Sequence, residues 1–380
     1  MVAVAYFNLL LAVRTAHILG GHGGSSIYLH HILMPPTKKK NHWVLVLVTV
    51  MLCLGSMEVA LRMLSPLQRY VGPFGSFFQF DPQLGWVGIP NLDARFCKVD
   101  FDVHVRHDAN GYRMKQSGDL PAGTPVAVFL GDSFTWGWGV ENGQVVTDVV
   151  QTCAGSTLDV KNFGVNVYGT LQESLLLQKL LSEGLKPSVV VVLFFQNDFS
   201  DTVGLDEKRP SVEVKGSNIQ ILNSPVHNDH LSRGFARRLL NSSRLFQTIA
   251  YVSNLWKEHR NTKALASTVY KDEAVSTEAE AGVAYSLGQL QKSCLDSGAR
   301  LVVAYIPGIR DIQVIQQTPW VESLLRACKS NQIELLDLTP AFKAASLENP
   351  TKLYFPNDEH WTAQGHQVAG EFINAYMQHK

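Results

Sequence analysis

The sequence predicts an α/β protein: a three-layer α/β/α sandwich on a mainly parallel five-stranded sheet, with an N-terminal transmembrane helix before it. Three observations lead there. From Thr124 onward five short β-type runs alternate with five helical stretches, a pattern that implies a parallel sheet with crossover helices. Several of the runs stop abruptly in glycine, acid or amide residues, as at Gly131-Asp132-Ser133 and Gln196-Asn197-Asp198. Near the N-terminus, three lysines precede a long apolar segment.

That apolar segment comes first in the chain. Lys38-Lys39-Lys40 is followed by Trp43 to Met57 without a charge, then Glu58 and a further apolar stretch before Arg62. A spanning helix needs about 20 residues. Counting through Leu61 supplies the length, with Glu58 near one interface, and the anchor is placed at 43–62. The lysines put residues 1–42 in the cytoplasm and the remainder in the periplasm or outside the cell, as a single-pass membrane protein. A cleaved signal peptide is the alternative, with Gly55-Ser56 as a poor cleavage region. Met34-Pro35-Pro36 reads as an ordinary beginning for such a protein, so the start is expected at Met34. His22, His30 and His31 fit no metal-ligand spacing, and no metal is expected.

Residues 63–123 form a lead-in subdomain rich in aromatics, Gly and Pro. Phe80 to Trp86 and Asn110-Gly111-Tyr112-Arg113 read as turns bounding short strands, with Phe101–Val105 a β-type run between them. The main domain occupies 124–380. Its strands are expected at Val126–Leu130, Leu158–Phe163, Val189–Phe195, Arg300–Ile306 and Ile333–Leu338. Its helices are expected at Gln144–Gln151, Leu171–Glu183, Gly282–Asp296, Trp320–Lys329 and Thr362–Met377.

A long insertion at about 199–280 interrupts the alternation and is read as having no strands of its own. Inside it, Leu231 to Arg260 reads as one or two basic amphipathic helices carrying Arg233, Arg237, Arg238, Arg244, Lys257 and Arg260. Such a face suits a lid against an acidic lipid surface or an anionic glycan; it equally suits a solvated face packed on the sandwich.

Thirty-three basic residues balance thirty-three acidic ones, so charge gives no sign of a nucleic-acid partner. The five cysteines, Cys53, Cys97, Cys153, Cys294 and Cys328, include no CxxC pair. Neither a zinc site nor a redox motif is suggested, and up to two disulfides outside the anchor stay open.

Four pieces of sequence carry chemistry. Ser133 follows the first strand of the sheet, where open α/β sheets bind ligands, at the start of a helix whose free N–H groups suit developing negative charge. Asp132 or Ser133 as a mere helix cap is the plainer reading. Gly164 follows the second strand and lets backbone come close to a ligand. Asn197 ends the third strand, and its amide would donate to an oxyanion or initiate a turn. Asp358 and His360 lie two residues apart before the last helix, where the acid would hold the imidazole tautomer.

In this order the four resemble the blocks of the SGNH, or GDSL, hydrolase superfamily, over roughly Thr124 to Lys380. Leu84-Gly85-Trp86 and Asn110-Gly111-Tyr112-Arg113 also look like the lead-in of its membrane-anchored bacterial members. The resemblance implies a flavodoxin-like fold, with Ser133 as nucleophile, His360 as general base and Asp358 orienting it. Ser133 N–H, Gly164 N–H and the Asn197 side chain would form the oxyanion hole. Here the spacing is Asp358-x-His360 rather than the commoner Asp-x-x-His, which leaves Asp358 or Glu359 as the partner. Val167 stands where relatives often carry glycine, and His366 is a rival base placed inside the last helix.

The implied activity is a serine esterase that needs no cofactor and acts on an acylated carbohydrate or lipid of the cell envelope. Alternatives are an O-acyltransferase for an exported polysaccharide and a non-catalytic carbohydrate-binding or scaffold protein. Acyl length, alcohol half and oligomeric state are not legible.

Overall fold

The structure is a computed structural model. It describes residues 42–379 apart from 66, 71–76, 119, 205, 217, 228, 230, 232–241, 266–273, 314–317 and 348–351. The expectations for Met34, the three lysines, His22, His30, His31, Arg233, Arg237 and Arg238 fall outside these residues.

Helix α1 (His42–Leu64) is long and apolar enough to cross a membrane and buries none of its residues. It begins one residue before the expected segment and ends two after it. Five short strands follow: β1 (Gln68–Tyr70), β2 (Phe78–Asp81), β3 (Gly85–Gly88), β4 (Asp93–Cys97) and β5 (Asp102–Arg106). β1 pairs parallel with β4, β4 antiparallel with β5, and β2 with β3 forms a hairpin.

The main domain contains β6 (Val126–Gly131), β7 (Asp159–Asn162), β8 (Val189–Phe194), β11 (Arg300–Tyr305) and β12 (Glu334–Asp337). Every pair is parallel and the order is β12-β11-β8-β6-β7. Renumbered within the sheet this is 2-1-3-4-5, the flavodoxin-like order, whose switch point lies between β6 and β8. These strands are buried on both faces, so their side chains alternate between two cores. Val128, Leu130, Val190 and Val192 face one core; Ala127, Phe129, Val191 and Leu193 face the other.

Helices α4 (Thr170–Ser182), α7 (Thr277–Ser297) and α9 (Pro319–Ser330) cover the first face. Helices α3 (Val146–Ala154), α10 (Thr339–Ser346) and α11 (Ala363–Gln378) cover the second. The short helices α2 (Ser133–Trp136), α5 (Asn197–Val203) and α8 (Ile309–Gln313) follow β6, β8 and β11 directly. Each expected strand and helix is present, with ends shifted by a few residues where caps and turns decide them.

The insertion differs from expectation. It contains a hairpin, β9 (Ser211–Lys215) and β10 (Asn218–Leu222), whose runs Val212-Glu213-Val214 and Ile219-Gln220-Ile221 alternate apolar and polar residues as a half-buried strand does. It also contains helix α6 (Arg244–Leu265). The five cysteines are unpaired; Cys97 Sγ donates instead to Asp102 Oδ1 at 3.0 Å.

The lead-in strands share the first core with the sheet. Phe77, Trp86 and Phe96 are fully buried there with Trp136. Phe96 meets Trp138 edge-on at 4.8 Å and Phe77 meets Trp136 at 5.5 Å. Aromatic pairs of this geometry add about 0.5–1.5 kcal/mol each beyond their area. The lead-in is therefore packed directly against the turn that leaves β6.

Candidate active site

β6 ends at Gly131, whose φ of 148° and surroundings admit no side chain: a Cβ would lie 2.2 Å from Thr135 Oγ1. Asp132 caps α2 by accepting from Phe134 N at 2.9 Å. The cap falls on Asp132 and leaves the Ser133 side chain free to point elsewhere. Ser133 is nearly buried, and its Oγ lies 2.7 Å from His360 Nε2.

His360 sits on the loop before α11. Its Nδ1 hydrogen-bonds Asp358 Oδ1, which places the ring proton on Nδ1 and leaves the Nε2 lone pair facing Ser133. The partner is thus Asp358, not Glu359. The imidazole lies between two aromatic rings, stacked on Trp138 at 4.9 Å and tilted against Phe134 at 4.8 Å. Burial would raise the Asp358 carboxyl, but His360 and the Lys98 ammonium together bring it below its ordinary range.

Lys98 is a site residue that sequence reasoning missed. It leaves the end of β4, pairs with Asp358 Oδ2 at 2.9 Å and lies over the Trp138 ring at 4.7 Å. Asp100 beside it accepts from Asn357 N and Nδ2, at 3.0 and 2.7 Å. Nothing in the sequence links these residues to a loop some 260 positions later. The link arises only from packing of the lead-in on the sheet.

On the other side of Ser133, Asn197 opens α5. Its Nδ2 donates to Asp132 Oδ2 at 3.1 Å and to Asp201 Oδ2 at 2.9 Å. Arg209 holds Asp201 from behind through Nη2 at 3.1 Å. Burial pushes the Asp132 and Asp201 carboxyls upward, partly offset by these donors. Burial likewise raises two nearby acids, Glu173 and Asp198, and the Asp132 charge adds to the rise in each.

Gly164 lies against the serine turn. A Cβ there would approach Trp136 N to 2.3 Å, so close packing alone requires glycine. Its N–H donates to Asn162 Oδ1 at 2.9 Å. Val167 has φ of 64°, in the left-handed region that β-branched residues avoid, which explains why a glycine suits this position. Its carbonyl accepts from Arg209 Nη1 at 3.0 Å. His366 is buried in α11 and accepts from Val146 N at 3.2 Å; it does not reach Ser133.

A cavity of about 590 Å³ adjoins Asn197, walled by Phe199, Val203, Ala279 and Trp320 with Arg310 and Thr318. Among the described residues no group of three His, Cys, Asp or Glu is placed to hold a metal ion.

A strand-end serine bonded to a histidine, with an ordered acid and amide beside it, stands at the carboxyl end of a doubly wound α/β sheet, the place where such folds bind ligands. Residues 129–368 match the model of the GDSL-like lipase/acylhydrolase family, and the chain belongs to that family, whose members act on ester bonds. Solved structures similar to it include TesA, 12% identical, with a TM-score of 0.39, over 67% of this chain and 98% of that one. Another is a lipase/acylhydrolase from Enterococcus faecalis, 13% identical, TM-score 0.37, over 67% and 96%. A third is Est24, a carbohydrate acetylesterase from Sinorhizobium meliloti, 12% identical, TM-score 0.36, over 67% and 99%. No protein of curated function matches the chain.

Proposed function

We propose that the protein is a membrane-tethered serine esterase that deacylates a carbohydrate or lipid of the cell envelope, with Ser133 as its nucleophile. One observation carries this reading: the unbroken relay from Ser133 Oγ through His360 to Asp358. A serine hydroxyl is a weak nucleophile until a neighbouring base takes its proton. On this reading His360 Nε2 accepts that proton as Oγ attacks the ester carbonyl. Asp358 keeps the second ring proton on Nδ1 and stabilises the imidazolium. The imidazolium then protonates the departing alkoxide. Water, deprotonated by His360 in turn, releases the acid from Ser133.

The tetrahedral oxyanion needs donors aimed at it. Ser133 N–H opens a helix and so lacks an intrahelical acceptor. Asn197 contributes by exchanging the Asp132 carboxylate for the oxyanion, while its bond to Asp201 keeps the amide in place. The Gly164 N–H would join them by sharing its hydrogen between Asn162 and the substrate. The cavity beside Asn197 supplies room for one half of the ester. Helix α1 supplies the tether, with the domain after it on the periplasmic or outer side.

The full chain is expected to release p-nitrophenol from p-nitrophenyl acetate and to be labelled at Ser133 by a fluorophosphonate. Equal turnover by Ser133→Ala and the unaltered protein would overturn the assignment.

A further inference from the structure

Helix α6 has its apolar side facing outward. Phe246, Ile249, Val252 and Trp256 are 38%, 58%, 58% and 62% exposed, and at 3.6 residues per turn they share one stripe. Toward the protein the helix makes polar and cation–π contacts: Gln247 Oε1 accepts from Arg69 N at 3.1 Å, and Arg69 lies over Tyr251. A surface helix usually has the reverse arrangement. The sequence reading expected a basic outward face here; of its described members, Arg244 instead bonds the Ser65 carbonyl at 3.2 Å.

The start of α6 is joined to the last turns of α1. The Glu58 carboxylate accepts from Ser243 Oγ, Arg244 N and Leu245 N, each at 2.9 Å. Arg62 Nη2 donates to the Ser242 carbonyl at 2.8 Å. Glu58 thus satisfies free N–H groups at the start of a second helix, which is a reason for an acid near the end of the apolar span.

We propose that the Phe246–Trp256 stripe of α6 lies in the headgroup–acyl boundary of a lipid bilayer, the same bilayer that α1 crosses. This rests on the reading of α1 as a spanning helix. The occupant follows from continuity: the stripe begins where the apolar helix ends, and the two are bonded together. Helices with an apolar stripe and an aromatic anchor lie in that boundary, and tryptophan is enriched there. The helix would fix the height of the domain above the membrane, and with it the depth from which a lipid-linked ester is drawn.

The full chain, with Cys53 and Cys153 changed to Ser, is reconstituted into phosphatidylcholine–phosphatidylglycerol vesicles. A single environment-sensitive fluorophore is placed at Ile249→Cys, or at Leu325→Cys on the exposed side of α9. A third sample keeps Cys53 and carries the label there. The expected result is blue-shifted emission and quenching by nitroxide lipid at 249, but not at 325. Label at 249 that behaves like label at 325 while Cys53 is quenched overturns the proposal and leaves the anchor standing. Absence of quenching at Cys53 as well overturns both. Blue-shifted emission at 249 that nitroxide lipid does not quench points to a protein partner or second copy, and also overturns it.

Discussion

The turn that carries Ser133 hangs from a buried strand, whereas the loop that carries His360 is pinned by side chains from the lead-in. On the serine side, hydrogen bonds from β6 and β8, the Gly131 bend and the Asp132 cap fix the backbone, and the side chain follows. On the histidine side, Asp100 grips Asn357, Lys98 grips Asp358, and Trp138 stacks on the ring. One half of the site is a property of sheet topology; the other is a property of docking. The two halves should therefore fail differently.

The largest expected effect falls on the relay itself. Ser133→Ala is expected to lower turnover of p-nitrophenyl acetate on the order of 10⁶-fold without changing the unfolding midpoint. Asp358→Asn should cost about 10⁴-fold, because the wrong tautomer then faces Ser133; a loss below about tenfold would assign the orienting role elsewhere. Asn197→Ala should cost roughly 10²–10³-fold in kcat with little change in KM, the pattern of a donor used in the transition state. A matching rise in KM instead would assign Asn197 to substrate binding.

Lys98→Met tests the docked half. A tenfold loss of kcat, ~1.4 kcal/mol, is expected at unchanged KM, with the acid limb of the pH profile moved upward. The direction follows from Asp358: its carboxyl is held low partly by Lys98, so losing that charge lets it protonate at higher pH. Lys98→Arg should restore most of the activity. A flat pH response would reduce Lys98 to a packing role.

The last effect falls on stability and leaves turnover near neutral pH unchanged. His107 and His366 are pushed down by burial from 6.5 to about 4 and about 3. His107 accepts from Trp136 Nε1 at 3.2 Å, joining the lead-in to the serine turn. Their folded values lie below the unfolded one, so their contribution is whole above about 6.5 and is lost as the pH falls toward 4 and 3. Each costs ~1.4 kcal/mol per pH unit through its window. Urea midpoints across that range should fall, and His107→Gln should remove one share of the slope.

The same contrast governs what was legible in the sequence. The strands of the sheet announce themselves as apolar runs, and the positions just after them follow from the run ends. Ser133 and Asn197 could be found that way, and the Asp358–His360 pair from its place just before the last helix. Lys98, Asp100, Asp201 and Arg209 could not, because each acts on a residue that only tertiary packing brings near. The hairpin β9–β10 was legible too, as the alternating runs Val212-Glu213-Val214 and Ile219-Gln220-Ile221 about Gly216, and the expectation of an insertion without strands is corrected by it. The apolar side of α6 is interleaved with basic residues, Arg244, Lys257 and Arg260, so the segment reads as basic in sequence. The stripe itself reads only once the buried face is known.

The Lys98–Asp358 contact has a consequence for when activity begins during synthesis. It closes across 260 positions of chain, between one segment and a loop made long after it. Contacts of such separation form late, after the intervening chain has collapsed. The serine turn can be in place while the base loop is still missing, so a partly made chain carries an unarmed hydroxyl. An esterase assembled in this order stays silent until the loop of Asp358 and His360 has emerged and docked.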